Sequence, residues 1–68
     1  MMRMLDRVAL DGGATVTVDD DRPTAQLEEL VAYAAQRNGR VVITAALRRA
    51  QIARLRAIGG DRLVLMPR

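Results

Sequence analysis

Apolar and polar positions change their period several times along these 68 residues, and each change marks an expected element. Val8 and Leu10 alternate with Arg7 and Ala9; after Asp11-Gly12-Gly13, Ala14, Val16 and Val18 alternate with Thr15 and Thr17. A period of two sends the apolar side chains to one face, and the glycines tolerate positive φ, so Arg7–Val18 reads as a β-hairpin. Asp19-Asp20-Asp21-Arg22-Pro23 interrupts the second strand. From Thr24 the apolar spacing becomes three and four, through Leu27, Leu30, Val31 and Ala34. That spacing predicts a helix N-capped by Thr24 and running to about Asn38, with Gly39 in the left-handed position past its end.

Val41, Val42 and Ile43 form a β-branched run between turn signals, the pattern of a strand covered on both faces. A second helix is expected from Ala45 to Ile58, capped by Thr44 and stopped by Gly59-Gly60. Arg62–Met66 supplies a last strand, which Pro67 terminates. Helices between buried strands read as right-handed βαβ crossovers. The expected fold is therefore a single α/β domain over residues 1–68, a small ββαβαβ sandwich. Strands two to four are parallel in it, and the N-terminal hairpin strand lies antiparallel at an edge. A winged helix needs two helices between its strands, and Ala45–Ile58 is too short to split.

The second helix carries two kinds of surface. Leu47, Ile52, Leu55 and Ile58 occupy a broad arc suited to covering the sheet. Ala46, Ala50, Ala53 and Ala57 form a ridge of small residues that admits another backbone at close range. This ridge is the candidate self-association surface, facing either the first helix or the same helix of a second copy.

Charge sharpens the picture. Residues 1–36 hold three Arg against seven acids, a net of −4, whereas residues 37–68 hold eight Arg against Asp61 alone, a net of +7. Such sorting makes one face attractive to anions and also suits the pairing of complementary surfaces. Arg40, Arg48, Arg49, Arg54 and Arg56 are the candidate phosphate or nucleic-acid contacts. No base-reading motif accompanies them. Tyr33 is the sole aromatic residue, which argues against stacking on single-stranded bases.

Composition narrows the chemistry further. The chain is 50% apolar, too much for a disordered tail. A domain this short hides little of its surface, and small domains are ordinarily reinforced by disulfides, a metal or self-association. Cys and His are absent, which leaves self-association as the expected remedy. Lys and Ser are absent too, so only carboxylates, Thr and Tyr33 remain as acid, base or nucleophile. No catalytic residues, cofactor or metal site are expected. No apolar run approaches bilayer length and Met1–Leu10 lacks a signal-peptide core, so a cytoplasmic location without membrane contact is expected.

Three local patterns invite a functional reading. Asp19-Asp20-Asp21 looks like a cation site, but neighbouring side chains on an extended chain alternate in direction; before a helix they favour its dipole instead. Gly12-Gly13 and Gly59-Gly60 match turns and C-caps rather than a phosphate loop. Val42-Ile43-Thr44-Ala45 resembles the end of the fourth strand of response-regulator receiver domains, where the hydroxyl senses a phosphoryl group. Those domains also need a Lys and are much longer, so the function is not carried over. A small-ligand or anion site at the strand ends near Asp20, Thr44 and Arg68 is a third expectation. The leading expectation is a non-catalytic association module, a homodimer or an accessory subunit bound to another protein; the alternative is nucleic-acid binding through the arginine-rich C-terminal half.

Overall fold

In the computed structural model, which describes residues 2–66, helices and strands alternate. The strand stop expected at Pro67 and the ligand contact expected at Arg68 lie outside the described residues. Helix α1 (Met4–Asp11) leads into strand β1 (Thr15–Val18), followed by α2 (Thr24–Arg37), β2 (Arg40–Ile43), α3 (Arg49–Gly59), a 3-10 turn (Gly60–Arg62) and β3 (Leu63–Leu65). The three strands form one parallel sheet in the order β1-β2-β3. Thr15 lies opposite Arg40 and Val18 opposite Ile43, while Val41 lies opposite Leu63. The parallel α/β arrangement agrees with the sequence expectation.

The N-terminal hairpin does not form. Residues 4–11, expected to hold an antiparallel edge strand, are helical, so the ββαβαβ order becomes αβαβαβ. Short apolar runs fit either period, and Met, Leu, Ala and Arg all favour helix. The glycines mistaken for a hairpin turn end this helix. Gly13 adopts φ +75° and donates to the Leu10 carbonyl (3.0 Å), while Ala14 N–H reaches the Ala9 carbonyl (2.9 Å). That pair of bonds is the Schellman C-cap.

Other boundaries shift as well. The left-handed residue closing α2 is Asn38 (φ 59°), not Gly39. Gly39 serves a close approach instead: a Cβ there would sit 2.6 Å from Leu10 Cδ2. Helix α3 begins four residues later than expected, so Thr44 is not its N-cap and Ala46 lies outside it. Thr44 Oγ1 donates to the Val18 carbonyl (3.3 Å), tying β2 to the end of β1. Gln51 takes the capping role, its Oε1 accepting from the Arg48 N–H (2.8 Å). Thr24 is the first helical residue of α2, with Pro23 in the cap position.

One core joins all the elements. Leu27, Leu30, Val31 and Ala34 of α2 are buried, as their spacing predicts, together with Leu10 of α1 and Leu55 of α3. Val16, Val18, Val41 and Ile43 meet them from the sheet. Gly59 lets α3 close on α2, since a Cβ would fall 2.3 Å from Val31 Cγ1. Alternate sheet residues behave differently: Thr15, Thr17 and Arg40 are exposed, and Val42 and Val64 are half-buried. The helices therefore cover one face of the sheet and leave the other open. No helix is long and apolar enough to cross a membrane among the described residues.

Candidate functional site

The arginines singled out from the sequence do not form one surface. Arg40 extends from β2 on the open face of the sheet, away from α3. Arg54 is held by Glu28 of α2 (Nε to Oε1, 2.8 Å). Arg48 precedes α3, and Arg49 and Arg56 are exposed along it, seven residues apart and hence on the same side. Ala50, Ala53 and Ala57 are exposed on the same helix, between Arg49 and Arg56 on one flank and Arg54 on the other; Ala46 is exposed in the preceding loop. The alanine ridge thus faces outward, bordered by positive charge.

The carboxyl ends of β1 and β2 frame a cleft of about 670 Å³. Asp20, Asp21 and Arg22 line one side, Arg48 and Gln51 the other, and Leu27, Ala45 and Leu47 give it an apolar floor. Gln51 spans it by donating to Thr24 Oγ1 (2.7 Å), linking the first turns of α2 and α3. Thr44 is not among the residues lining the cleft; its hydroxyl is bound to the Val18 carbonyl at the end of β1. The three aspartates diverge: Asp19 and Asp21 are exposed, and among the described residues only Asp20 turns toward cations of the chain. No group of three potential metal ligands converges among the described residues.

Asp20 belongs to an ion network that spacing alone did not reveal. Arg22, with its side chain only 6% exposed, donates to Asp6 of α1 (2.8 Å) and to Asp20 (3.1 Å). Arg3 reaches Asp20 from outside (3.1 Å). Burial opposes the charge on Arg22, but its bonds to Asp6 and Asp20 outweigh this and raise its pKa. Burial also opposes ionisation of Asp20, yet Arg22 and Arg3 prevail and hold its carboxyl below the usual value. The network fastens α1 to the loop that forms one wall of the cleft.

A second cluster joins α1 to α2 around Tyr33. Its hydroxyl donates to Asp11, Arg37 lies over the ring (5.1 Å to the centroid), and Arg7 approaches it from α1 (5.8 Å). Tyr33, with Asp11, raises the Arg7 pKa. Arg37 also pairs with Asp11 (3.6 Å). The hydroxyls of Thr44 and Tyr33 and the carboxylates of Asp6 and Asp20 are thus all engaged in holding elements together.

Besides the alanine ridge, two further surfaces lack an intramolecular cover among the described residues. One is the open sheet face. The other is the outward side of α1, where Met4, Leu5 and Val8 are 80%, 83% and 64% exposed. Beside Met4 runs a groove of about 580 Å³ lined by Met2, Met4, Arg7, Glu29 and Tyr33. Sequence reasoning missed the α1 surface because a strand would have turned Val8 and Leu10 to the same side. Set against known protein families, curated proteins and solved structures, the chain matches none of them.

Proposed function

We propose that this protein is a non-catalytic association module, working as a homodimer or as an accessory subunit docked on another protein. The observation that carries the reading is the open face of its parallel sheet. All-parallel sheets are ordinarily covered on both faces, whereas this one presents Thr15, Thr17, Arg40, Val42 and Val64 opposite its helices. A small chain without cysteine or histidine gains most by burying such a surface against a partner. The engagement of Tyr33, Thr44, Asp6 and Asp20 in structural contacts supports a non-catalytic role. Sedimentation equilibrium of the full chain across the micromolar range tests the homodimer, which predicts a mass rising with concentration. A monomer that stays folded throughout overturns it.

A second reading, nucleic-acid contact, draws on the exposed Arg49 and Arg56 of α3 with Arg48 at its start. It receives less support, because Arg54 is neutralised by Glu28 and Arg40 projects from another face. Its test is a mobility shift on duplex and single-stranded DNA and RNA at low salt.

A further inference from the structure

Resting on the nucleic-acid reading, we infer that the outward face of α3 docks duplex DNA along one phosphate strand, and that the ion pair between Glu28 and Arg54 holds this contact below its full strength. The structure divides the arginines into two sets. Arg3, Arg22, Arg37 and Arg54 are paired with carboxylates, Arg7 lies at the Tyr33 ring, and Arg62 donates to Asn38. Arg40, Arg48, Arg49 and Arg56 are exposed and have no ion-pair partner among the described residues. Arg48, Arg49 and Arg56 belong to α3 or precede it directly. The helix itself carries no acid, and Asp61 follows its far end, away from Arg48 and Arg49. Asp21 faces Arg48 across the cleft without pairing with it.

Charge selects the occupant. A surface of one sign attracts a polyanion, and a second copy would bring like charges together. A protein partner needs a large aromatic or aliphatic anchor at the centre of the contact, whereas this face offers only Ala50, Ala53 and Ala57 beside its arginines. Phosphate contacts need no such anchor. Arg49 and Arg56 share one side of the helix, separated by about 10 Å at a rise of about 1.5 Å per residue. One strand of B-form duplex advances by about 3.4 Å per nucleotide, so the two guanidinia match phosphates about three nucleotides apart. Single strands are disfavoured, because the sole aromatic ring, Tyr33, sits on α2 against Arg7 and Arg37 with its hydroxyl on Asp11.

Arg54 borders the other flank of the same face, where Glu28 Oε1 holds its Nε at 2.8 Å. The Arg54 side chain is 68% exposed, so the pair contributes little to stability, and its loss frees the guanidinium for one more phosphate.

The test is fluorescence anisotropy of labelled DNA duplexes of several sequences, titrated with the full chain over a series of low salt concentrations. Log affinity should fall with log salt at a slope of about −3, alike for all sequences. Arg49→Gln and Arg56→Gln should each weaken binding severalfold and reduce the slope by about 1. Ala53→Glu should weaken it at least tenfold, while Arg40→Gln, on the open sheet face, should leave it unchanged. Glu28→Gln should instead tighten binding severalfold and steepen the slope by about 1. All these positions are partly or fully in water, so circular dichroism should stay near wild type. Binding indifferent to Arg49→Gln, Arg56→Gln and Ala53→Glu overturns the α3 contact while leaving nucleic-acid binding standing. Unchanged affinity in Glu28→Gln overturns the restraint on Arg54. No binding to any duplex overturns both the contact and the reading beneath it, and binding to polyglutamate in its place would assign the face to an acidic protein.

Discussion

Replacing Arg22 with Ala should remove a large part of the stability of this protein. A 68-residue domain has roughly 3–10 kcal/mol in total. The Arg22 side chain is only 6% exposed and donates to two carboxylates, of which Asp6 is only 14% exposed. Removing the cation leaves Asp6 charged without its partner in a site with little access to water. Breaking a buried pair in this way costs about 3–5 kcal/mol. Asp20 is more open and can rehydrate, so a loss of about 3 kcal/mol, the lower end of that range, is expected. Urea denaturation followed by far-UV circular dichroism should show the midpoint falling with little change in slope. Restoring neutrality should rescue it: in Asp6→Asn/Arg22→Met an apolar stem replaces the cation and no unpaired charge is left behind. The double variant should regain most of the loss. If Arg22→Ala costs less than about 1 kcal/mol, the site behaves as an exposed ion pair and the reasoning fails.

Gly59→Ala should lower the urea midpoint by the equivalent of about 2 kcal/mol, because the new methyl would overlap Val31 Cγ1 and press on Leu63; a gain in stability, as helix propensity alone would give, would contradict the close approach of α2 and α3. Asp20 should make the fold acid-sensitive. Its folded pKa lies below the unfolded value, so its contribution is present at neutral pH and is lost as pH falls from about 4 through the folded pKa. In Asp20→Asn, the decline of the urea midpoint on acidification should be shallower than in wild type, and an unchanged decline would remove Asp20 from the account. If nucleic acid binds at all, Arg48→Gln/Arg49→Gln/Arg56→Gln should weaken it equally on every sequence and reduce the slope of log affinity against log salt by about 3; no mobility shift at low salt would end that reading.

The segments that position the sheet were legible because their patterns admit one period. Leu27, Leu30, Val31 and Ala34 face the core as their spacing requires, and Val41–Ile43 lies central in the sheet. The N-terminus was misread because Asp11-Gly12-Gly13 serves equally as a hairpin turn and as a helix stop. Only the packing of Leu10 against Gly39, 29 positions later in sequence, decides between them. Thr44 misled for a related reason: its hydroxyl had a nearer acceptor, the Val18 carbonyl, once β1 and β2 paired. The Arg22 network was invisible to local pattern because Asp6 is 16 positions away. A signal did exist in a basic residue set between three aspartates and a proline, in a half of the chain that is otherwise acidic.

The sorting of charge along the sequence acts in part within one copy. Arg37 and Arg54, from the basic half, are bound by Asp11 and Glu28 of the acidic half, and Arg3 and Arg22 occupy Asp6 and Asp20. Part of the electrostatic complementarity that could have drawn two copies together is therefore consumed in joining α1, α2 and α3. The remaining incentive for association is apolar. Leu10 satisfies the inner side of α1, while Met4, Leu5 and Val8 stay in water, and hydrophobic burial is nearly indifferent to direction. A homodimer held by apolar contact should therefore weaken only slightly as salt is raised, whereas one formed between the acidic and basic halves would dissociate steeply.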